Sequence, residues 1–396
     1  MNNLSQENLK GKRVLIRVDF NVPLDKDLNI TDDSRMLAAL PTIKKVISNG
    51  GVAIILSHLG RPKDCFDEKF SLQNIVPHLS FLLKKPVSFL SDCIDDKNYE
   101  RIQNTNNGGV VVLENLRFYK EEKNGDKVFA KKLSRLGDIY INDAFGTAHR
   151  AHASTAIIAK FFPKNKHLGL LLNKEITFLE KILNNPKRPF TAVIGGAKIT
   201  GKIDVIESLL KKVDNLIIGG GMAYTFAKAM GGEVGKSLVE NEKVSLAKKI
   251  ISSAEIKGVN LLLPTDSLNA PSINNITKTS TSDILSISKN DMGLDIGKQS
   301  IMHFSNVILE SKTILWNGPM GVFELESFEN GTKKIGEAIC LATKNGAFSL
   351  IGGGDSTAAV KKFGFSKHIS YISTGGGAML EYLEGKILPS ISAILD

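Results

Sequence analysis

Short runs of apolar residues recur along the chain, and each run ends in glycine or polar residues before a stretch with helical spacing. Uninterrupted apolar strands that alternate with helix-length segments are typical of parallel sheets covered by helices on both faces. The pattern therefore predicts an α/β fold with a parallel sheet in each half of the chain. The predicted strands are 14–18, 52–56, 110–113 and 139–141 in the first half, and 191–194, 216–218, 260–263, 313–316, 348–351 and 369–372 in the second.

The length of 396 residues favours two domains, because single hydrophobic cores stop growing near roughly 250–300 residues. Between the two sets of strands, apolar residues recur at helical spacing over 171–185, and Pro186 follows directly. This pattern predicts a linking helix over 171–185. We therefore expect one domain over 1–170 and another over 186–380, with the tail 381–396 packing back on one of the sheets.

The charge of the chain favours anionic partners without naming them. Lysine and arginine total 51 against 41 aspartates and glutamates, which gives a net charge of +10, and such a balance attracts anions of any class. Only nine of the basic residues are arginine, and none lies beyond Arg188. The hydrophobic fraction of 42% and the charged fraction of 23% are ordinary globular values that exclude a disordered chain.

The cysteines and the hydropathy pattern indicate in which cellular compartment the protein is expected. Cys65, Cys93 and Cys340 are far apart and form no C-x-x-C pair, which argues against a disulfide framework and against a thiolate zinc site. No run approaches the ~18 apolar residues of a membrane span, and the first residues are too polar for a signal peptide. We expect a cytoplasmic protein without a membrane anchor.

Arginine and histidine lie directly after strands of the first half. Arg61, Arg117 and Arg150 follow predicted strands, and Arg35 opens a helical segment. Ligands of open α/β sheets collect beyond the carboxyl ends of strands, and guanidinium groups are forked donors for phosphate and carboxylate. One arginine alone is more often part of a surface ion pair, but several at equivalent strand ends indicate a pocket for a small, doubly anionic ligand. His58 is a candidate ligand contact rather than a metal ligand.

The corresponding positions of the second half are rich in glycine. Glycine lets backbone N–H groups converge on a phosphate, and the dipole of a following helix adds to the attraction. One glycine triplet is equally compatible with a tight turn, but several at successive strand ends indicate a nucleotide site. Residues 196–202 match G-x-x-x-x-G-K, but Ile203 stands where a P-loop requires serine or threonine. The glycine segments are 195–198, 219–221, 318–321, 352–355 and 375–377.

An arginine-based anion pocket and a glycine-based nucleotide site in two domains predict phosphoryl transfer across the cleft between them. Two alternatives stay open at this point. One is another nucleotide-dependent kinase or an ATP-grasp ligase. The other is a basic nucleic-acid-binding protein, which requires arginine and aromatic side chains interleaved on one face, whereas the arginines here follow strand ends and aromatic residues are only 7% of the chain.

Long motifs across nearly the whole chain resemble the phosphoglycerate kinase family. The resemblance implies two Rossmann-like parallel-sheet domains, joined by the linking helix 171–185, with a deep cleft between them. It also implies that the domain over 1–170 binds phosphoglycerate and receives the tail 381–396, and that the domain over 186–380 binds the nucleotide. The motifs occur in the family's order: RVDFNVPL (17–24), SHLGRP (57–62), DAFGTAHRAH (143–152), GGAK (195–198), WNGPMGVFE (316–324), GGGDST (352–357) and STGGGA (373–378).

The resemblance further implies reversible phosphoryl transfer between ATP and the carboxylate of 3-phosphoglycerate, giving ADP and 1,3-bisphosphoglycerate. The family performs this glycolytic and gluconeogenic step by Mg²⁺-dependent in-line transfer after hinge closure, and we expect a monomer that needs neither nucleic acid nor membrane. The implied substrate-binding residues are Asp19, Phe20, Asn21, Arg35, His58, Leu59, Gly60, Arg61, Arg117 and Arg150. The implied nucleotide-binding residues are Lys198, Lys202, Gly293, Glu324, Gly352, Gly353, Gly354, Asp355 and Ser356, with Asp355 also holding Mg²⁺. The implied catalytic residues are Arg35, Lys198, Gly375 and Gly376.

Two positions depart from the family's usual pattern. Lys298 follows Asp295-Ile296-Gly297 where proline is usual, and Tyr371 stands where histidine is common. Neither change removes a charge from the expected site. The expected acceptor is a carboxylate, which is ionised at neutral pH and needs no general base, so catalysis should rest on orientation and charge neutralisation.

Overall fold

The computed structural model describes Leu4, residues 7–274, Ile276 and residues 278–396. These residues form two compact units. The first contains the described residues up to Thr177 together with Ile387–Asp396, and the second contains Phe178–Lys386. Each unit has its own six-stranded parallel sheet, which confirms the predicted α/β class.

The strands of the sheets coincide with most of the predicted apolar runs. In the first unit they are β1 (Arg13–Arg17), β2 (Val52–Leu56), β3 (Ser88–Leu90), β4 (Val110–Leu113), β5 (Ile139–Asn142) and β6 (Lys166–Leu168). In the second unit they are β7 (Phe190–Ile194), β8 (Asn215–Ile218), β9 (Glu233–Val234), β10 (Asn260–Leu262), β11 (Asp266–Ala270), β12 (Ser280–Asp283), β13 (Ser286–Ile287), β14 (Met292–Ile296), β15 (Thr313–Asn317), β16 (Phe348–Ile351) and β17 (Tyr371–Ile372).

The α-helices connect the strands. They are α1 (Ser34–Ser48), α2 (Val76–Leu83), α3 (Asp96–Gln103), α4 (Lys120–Lys123), α5 (Lys127–Ser134), α6 (Leu170–Asn184), α7 (Ile203–Leu209), α8 (Met222–Ala229), α9 (Val244–Ile256), α10 (Lys298–Glu310), α11 (Asn330–Lys344), α12 (Gly354–Lys362), α13 (Gly376–Leu383) and α14 (Pro389–Leu395). No helix in the described part of the chain is both long and apolar enough to cross a membrane.

The first sheet has the strand order β3-β4-β2-β1-β5-β6. Arg17 of β1 is level with Leu56 of β2 and with Asn142 of β5, so the loops after these strands leave from the same edge. The α1 helix packs Met36, Leu40 and Ile43 into the core on this sheet. Burying each such side chain contributes roughly 1.5–3 kcal/mol, and the same packing fixes Arg35 in the first turn of α1.

The second sheet has the order β10-β8-β7-β15-β16-β17. Ile194 of β7 is level with Ile218 of β8 and with Asn317 of β15. The glycine loops after these strands therefore begin at one edge of the sheet. A small antiparallel sheet of order β12-β11-β14 and the β9–β13 pair complete the unit. These additional strands were not predicted.

The α6 helix covers the segment predicted to link the domains, and the boundary between the two units falls inside it, after Thr177. Its first turn is held in the first unit, where the Leu170 N–H donates to Thr42 Oγ1 at 2.9 Å and the Leu172 N–H donates to Asp143 Oδ1 at 3.0 Å. Its last turn is held in the second unit, where Lys212 Nζ donates to the Leu183 carbonyl at 3.1 Å.

The chain end divides between the units. Ile387–Asp396, which includes α14, belongs to the first unit, and the residues up to Lys386 belong to the second. The Ser390 N–H donates to the Ala148 carbonyl at 3.1 Å, and Lys166 Nζ donates to the Ala393 carbonyl at 2.8 Å. The α14 helix is thus held to the first unit by two hydrogen bonds, one accepted by a main-chain carbonyl of the first unit's loop at Ala148 and one by a main-chain carbonyl of the helix itself. The assignment of one ligand to each domain stays a prediction.

Candidate active site

An acidic and a basic side chain pair at the carboxyl edge of the first sheet. Arg35 Nη1 lies 2.6 Å from Asp19 Oδ2, so the guanidinium at the start of α1 is held by a carboxylate just after β1. The other oxygen, Asp19 Oδ1, is buried and accepts no hydrogen bond in the described residues. A buried polar atom without a partner is costly. The pair therefore offers an oriented cation and a vacant acceptor to a ligand.

His58 lies beside this pair and is almost fully buried. Its Nδ1 is 3.8 Å from Asp19 Oδ1 and 3.4 Å from a terminal nitrogen of Arg17. Burial, reinforced by the charges of Arg17, Arg117 and Arg35, holds the pKa of His58 well below its usual value. The ring is therefore neutral at physiological pH.

The loop that carries His58 is held by three side chains that follow two strands, β1 and β4. The Gly60 N–H donates to Asn21 Oδ1 at 2.7 Å, and Arg117 Nη1 donates to the Gly60 carbonyl at 2.8 Å. Asn115 Nδ2 donates to the carbonyl of Leu59 at 2.7 Å. Gly60 has φ +62, and a Cβ there would lie 2.3 Å from the ring of Phe70, so the turn requires glycine.

The remaining residues predicted from the first half differ in placement. Phe20 and Leu59 are buried, and the Phe20 N–H donates to Ser57 Oγ at 2.9 Å, so both are parts of the scaffold beneath the loop. Arg61 and Arg150 are exposed. Direct contacts link Asp19 to Arg35 and His58, and link Gly60 to Asn21 and Arg117. Within the described residues the side chains of Arg61 and Arg150 make no hydrogen bond to this group.

Lys202 of the second unit is held by three acceptors. Its Nζ donates to the Gly195 carbonyl at 2.5 Å, to the Asn317 carbonyl at 3.0 Å and to Asn317 Oδ1 at 2.7 Å. Burial lowers the pKa of Lys202 to about 8, although the charge of Asp355 opposes the shift. All three acceptors are neutral, so the ammonium retains a net charge that favours an anion at the carboxyl edge of the second sheet.

Lys198 is exposed on the loop that precedes Lys202. Glu240 holds this loop: its carboxylate accepts from the Ile199 N–H at 2.6 Å, from the Thr200 N–H at 3.3 Å and from Thr200 Oγ1 at 2.5 Å. Burial raises the pKa of Glu240, but these hydrogen bonds and the charge of Lys198 together lower it. The loop is thus oriented by an anion that remains charged at neutral pH.

Two helix starts meet beside this loop. Gly353, with φ +96, precedes α12, and a Cβ on Gly376 at the start of α13 would lie 3.4 Å from its Cα. Asn317 Nδ2 donates to the Gly352 carbonyl at 2.8 Å. The Gly318 N–H donates to Ser356 Oγ at 2.5 Å. Two adjacent helix N-termini present N–H groups and positive dipole ends, the usual surroundings of a bound phosphate.

The other predicted nucleotide and catalytic residues vary in their surroundings. The Gly375 N–H donates to Ser373 Oγ at 3.2 Å, so this amide is shared within its own loop. The Gly293 N–H donates to Ser237 Oγ at 2.9 Å, and a Cβ on Gly293 would lie 2.1 Å from Tyr224 Oη. Glu324 and Gly354 are exposed.

Asp355 is the one carboxylate predicted to hold Mg²⁺. It is exposed in the first turn of α12, and no group of three or more His, Cys, Asp or Glu side chains suited to a metal exists in the part of the chain that the structure describes. Mg²⁺ at kinase sites is commonly held by one or two carboxylates together with substrate phosphates. An aspartate in the first turn of a helix, where phosphates commonly bind, fits that arrangement.

Comparisons with known proteins identify the family of the chain. A family model described as phosphoglycerate kinase matches residues 4–386. The chain belongs to the phosphoglycerate kinase family. It is 51% identical to a protein named phosphoglycerate kinase from Porphyromonas gingivalis, with 99% of each chain covered. It is also 51% identical to one of the same name from Dictyoglomus turgidum, over 99% of this chain and 98% of that one.

Solved structures of the family share the fold over nearly the whole chain. A structure of phosphoglycerate kinase from Coxiella burnetii matches with a TM-score of 0.89 and 41% identity, over 99% of this chain and 98% of that one. The phosphoglycerate kinase from Pyrococcus horikoshii matches with a TM-score of 0.86 and 33% identity, over 100% and 98%. The predicted membership of this family is confirmed.

Sequence reasoning missed several residues that shape the site. Arg17, Ser154 and Glu122 form a buried group behind His58, and Glu240 holds the loop of Lys198. Arg17 carried one usable signal, since an arginine inside an apolar run must find buried partners. Glu122 and Glu240 stand in polar segments whose local pattern is typical of surface positions.

Proposed function

We propose that this chain catalyses reversible phosphoryl transfer between ATP and the carboxylate of 3-phosphoglycerate, giving ADP and 1,3-bisphosphoglycerate in glycolysis and gluconeogenesis. Membership of the phosphoglycerate kinase family supports the activity. The observation that carries the proposal is that one chain holds an Asp19–Arg35–His58 anion site at the edge of one parallel sheet and a lysine and glycine site at the edge of another.

The first unit is proposed to bind the phosphoglycerate. Arg35, Arg61, Arg117 and Arg150 neutralise its phosphate and carboxylate, since guanidinium groups bind both in bidentate fashion. The remaining predicted contacts of this ligand are Asp19, Phe20, Asn21, His58, Leu59 and Gly60. Asp19 Oδ1 has no hydrogen-bond donor among the described residues, and a hydroxyl group of the ligand would supply one.

The second unit is proposed to bind the nucleotide. Lys198 and Lys202 face its phosphates, and Glu324 contacts its ribose. The other predicted contacts are Gly293, Gly352, Gly353, Gly354, Asp355 and Ser356. Asp355 would hold Mg²⁺, which neutralises nucleotide phosphate charge when bound. The carboxylate of Asp355 lies in the first turn of α12, where it can share a cation with phosphates bound at the helix start.

Catalysis is proposed to rest on charge and position rather than on proton transfer. The accepting carboxylate is already ionised at neutral pH, so no side chain must remove a proton from it. Arg35 and Lys198 orient and neutralise the oxygens of the group in transfer, and the backbone amides of Gly375 and Gly376 add neutral donors. The Gly375 N–H must then exchange its bond to Ser373 Oγ for one to the transferring group.

Hinge closure is proposed to exclude water, because ATP would otherwise lose its phosphoryl group to solvent. The α6 helix belongs to both units, so it is the natural hinge. We also propose a cytoplasmic monomer. X-ray scattering should show a smaller radius of gyration when both ligands are added than with either alone, and an unchanged profile would contradict hinge closure.

The experiment for the activity measures ADP formation with ATP and Mg²⁺ in the presence and absence of 3-phosphoglycerate. Glycerol 3-phosphate is the matched control acceptor, because it keeps the phosphate and lacks the carboxylate. We expect ADP only with 3-phosphoglycerate. Equal ADP formation with the control acceptor, or none with either, would overturn the proposal.

A further inference from the structure

Arg17 is a buried cation with several polar partners. Its side chain is 1% exposed. Its Nε donates to Ser154 Oγ at 2.9 Å, one terminal nitrogen donates to the Val18 carbonyl, and the other lies 3.4 Å from His58 Nδ1. A buried guanidinium is stable only when its charge and donors are satisfied. These contacts involve all three nitrogens of the Arg17 guanidinium and so fix its position.

Glu122 supplies the balancing charge. It is 1% exposed, and its two oxygens accept from Ser154 Oγ at 2.6 Å and from the Ser154 N–H at 2.9 Å. Burial raises the pKa of Glu122, and the charge of Arg17 is the strongest influence that opposes this shift. Ser154 therefore bridges a buried anion and a buried cation, and the bridge determines where the guanidinium can point.

The contact between Arg17 and His58 restricts where the imidazole proton can be. A guanidinium group has only donors, so His58 Nδ1 must be the acceptor in this contact. A neutral imidazole carries one proton, and that proton is then on Nε2. Within the described residues the hydrogen-bond contact of the His58 ring is made by Nδ1, so an N–H at Nε2 remains available to a ligand.

The charged groups around His58 favour the same form. A positive charge on the ring is disfavoured by Arg17, Arg117, Arg35 and His152. Asp19 carries the opposite charge, but its Oδ1 is 3.8 Å from Nδ1 and therefore too far for a hydrogen bond. A proton on Nδ1 would point at the Arg17 guanidinium.

We propose that Arg17, held by Ser154 and Glu122, is a positioning residue that keeps His58 as a neutral ring with its proton on Nε2. His58 then donates a hydrogen bond to the bound acid instead of pairing with it as a cation. This role rests on the proposed function only for the identity of the acid that receives the hydrogen bond. The protonation state itself is a property of the ligand-free protein.

The primary test is nitrogen NMR of the full chain labelled with ¹⁵N-histidine. The chain contains seven histidines, and the signals lost in His58→Gln assign the ring. We expect one protonated and one unprotonated nitrogen between pH 6 and 8, with ring couplings that identify Nε2 as protonated. A proton on Nδ1, a doubly protonated ring at pH 7, or rapid averaging of both neutral forms would overturn the proposal.

Ser154→Ala tests the bridge, with Ser134→Ala as the matched control. Ser134 Oγ donates only to the Lys131 carbonyl of its own helix, at 2.8 Å. We expect Ser154→Ala to introduce the second neutral form of His58, with the proton on Nδ1. We also expect KM for 3-phosphoglycerate to rise about fivefold, the effect of losing one hydrogen bond, with a smaller change in KM for ATP. Unchanged His58 nitrogen signals in a folded Ser154→Ala protein would refute the bridge. If that variant does not fold, the wild-type spectrum decides.

Addition of 3-phosphoglycerate to the wild-type protein separates this role from the proposed function. A shift of the Nε2–H signal supports both. A ring with its proton on Nε2 that does not respond to 3-phosphoglycerate supports the role of Arg17 and counts against the proposed substrate. A ring protonated on Nδ1 in an active enzyme overturns the role of Arg17 and leaves the proposed function intact.

Discussion

Replacing Arg35 by alanine should slow turnover far more than it alters the fold. The guanidinium is held 2.6 Å from Asp19 Oδ2 by its position in the first turn of α1. Removing one donor from a preorganised charge-stabilising site costs about 2.7–4 kcal/mol of transition-state stabilisation, and each 1.36 kcal/mol is a factor of ten. We therefore expect kcat to fall by about 10²–10³.

A coupled assay of ADP formation at saturating ATP and 3-phosphoglycerate measures this change. Arg135→Ala is the matched control, because Arg135 is an exposed arginine of the same unit that pairs with exposed Asp96 at 3.3 Å. Its loss should leave kcat unchanged and alter stability by less than about 0.5 kcal/mol. A kcat for Arg35→Ala within threefold of wild type, in a protein with normal thermal unfolding, would refute the catalytic role of Arg35.

Three further predictions concern the second unit. Burial lowers the pKa of Lys202 to about 8, so its charge is present below pH 8 and is lost above it. Calorimetry should therefore show the affinity for ADP falling as pH rises through 8. The Lys202→Met variant should bind ADP weakly and without that pH dependence. Glu240→Gln keeps the shape of the side chain but removes the charge that orients the loop of Lys198. Because hydrogen bonds to a charged acceptor are stronger by about 1 kcal/mol, KM for ATP should rise about fivefold, and an unchanged KM would contradict this role. Lys298→Pro should raise the free energy of unfolding, measured in urea, by about 0.4–1 kcal/mol. The reason is that Lys298 is the first residue of α10 and the extended Gly297 suits a following proline. A loss of stability would contradict this and show that the Lys298 N–H or side chain stabilises the fold.

The central strands of both sheets could be predicted because they are buried on both faces. β2 and β4 have the bounds that the apolar runs predicted. The edge strand β3 (Ser88–Leu90) and the three-residue β6 were missed, since short strands that pair on one side need no apolar run. The antiparallel strand β12 (Ser280–Asp283) was missed because it is polar and largely exposed. β3, β6 and β12 thus share low burial or short length, whereas β11 and β14, which were also missed, are five residues long and mostly buried.

The candidate site could be predicted where its residues follow a strand directly. Asp19 and Arg35 stand at the ends of recognisable elements, and their pairing follows from the position of α1 on the sheet. Glu240 is 41 residues from Ile199, and Glu122 is 32 residues from Ser154. No local periodicity reports such contacts, because tertiary packing alone brings these side chains together. The groups that orient the site from distant parts of the chain therefore required the structure.

The most direct test of the two-site account is a crystal structure with 3-phosphoglycerate and an ATP analogue that cannot transfer its phosphate. The account predicts the acid against Arg35, His58 and Arg117, and the nucleotide phosphates against Lys202 and the start of α12. An acid bound away from the Asp19–Arg35 pair, or a nucleotide held by the first unit, would contradict it.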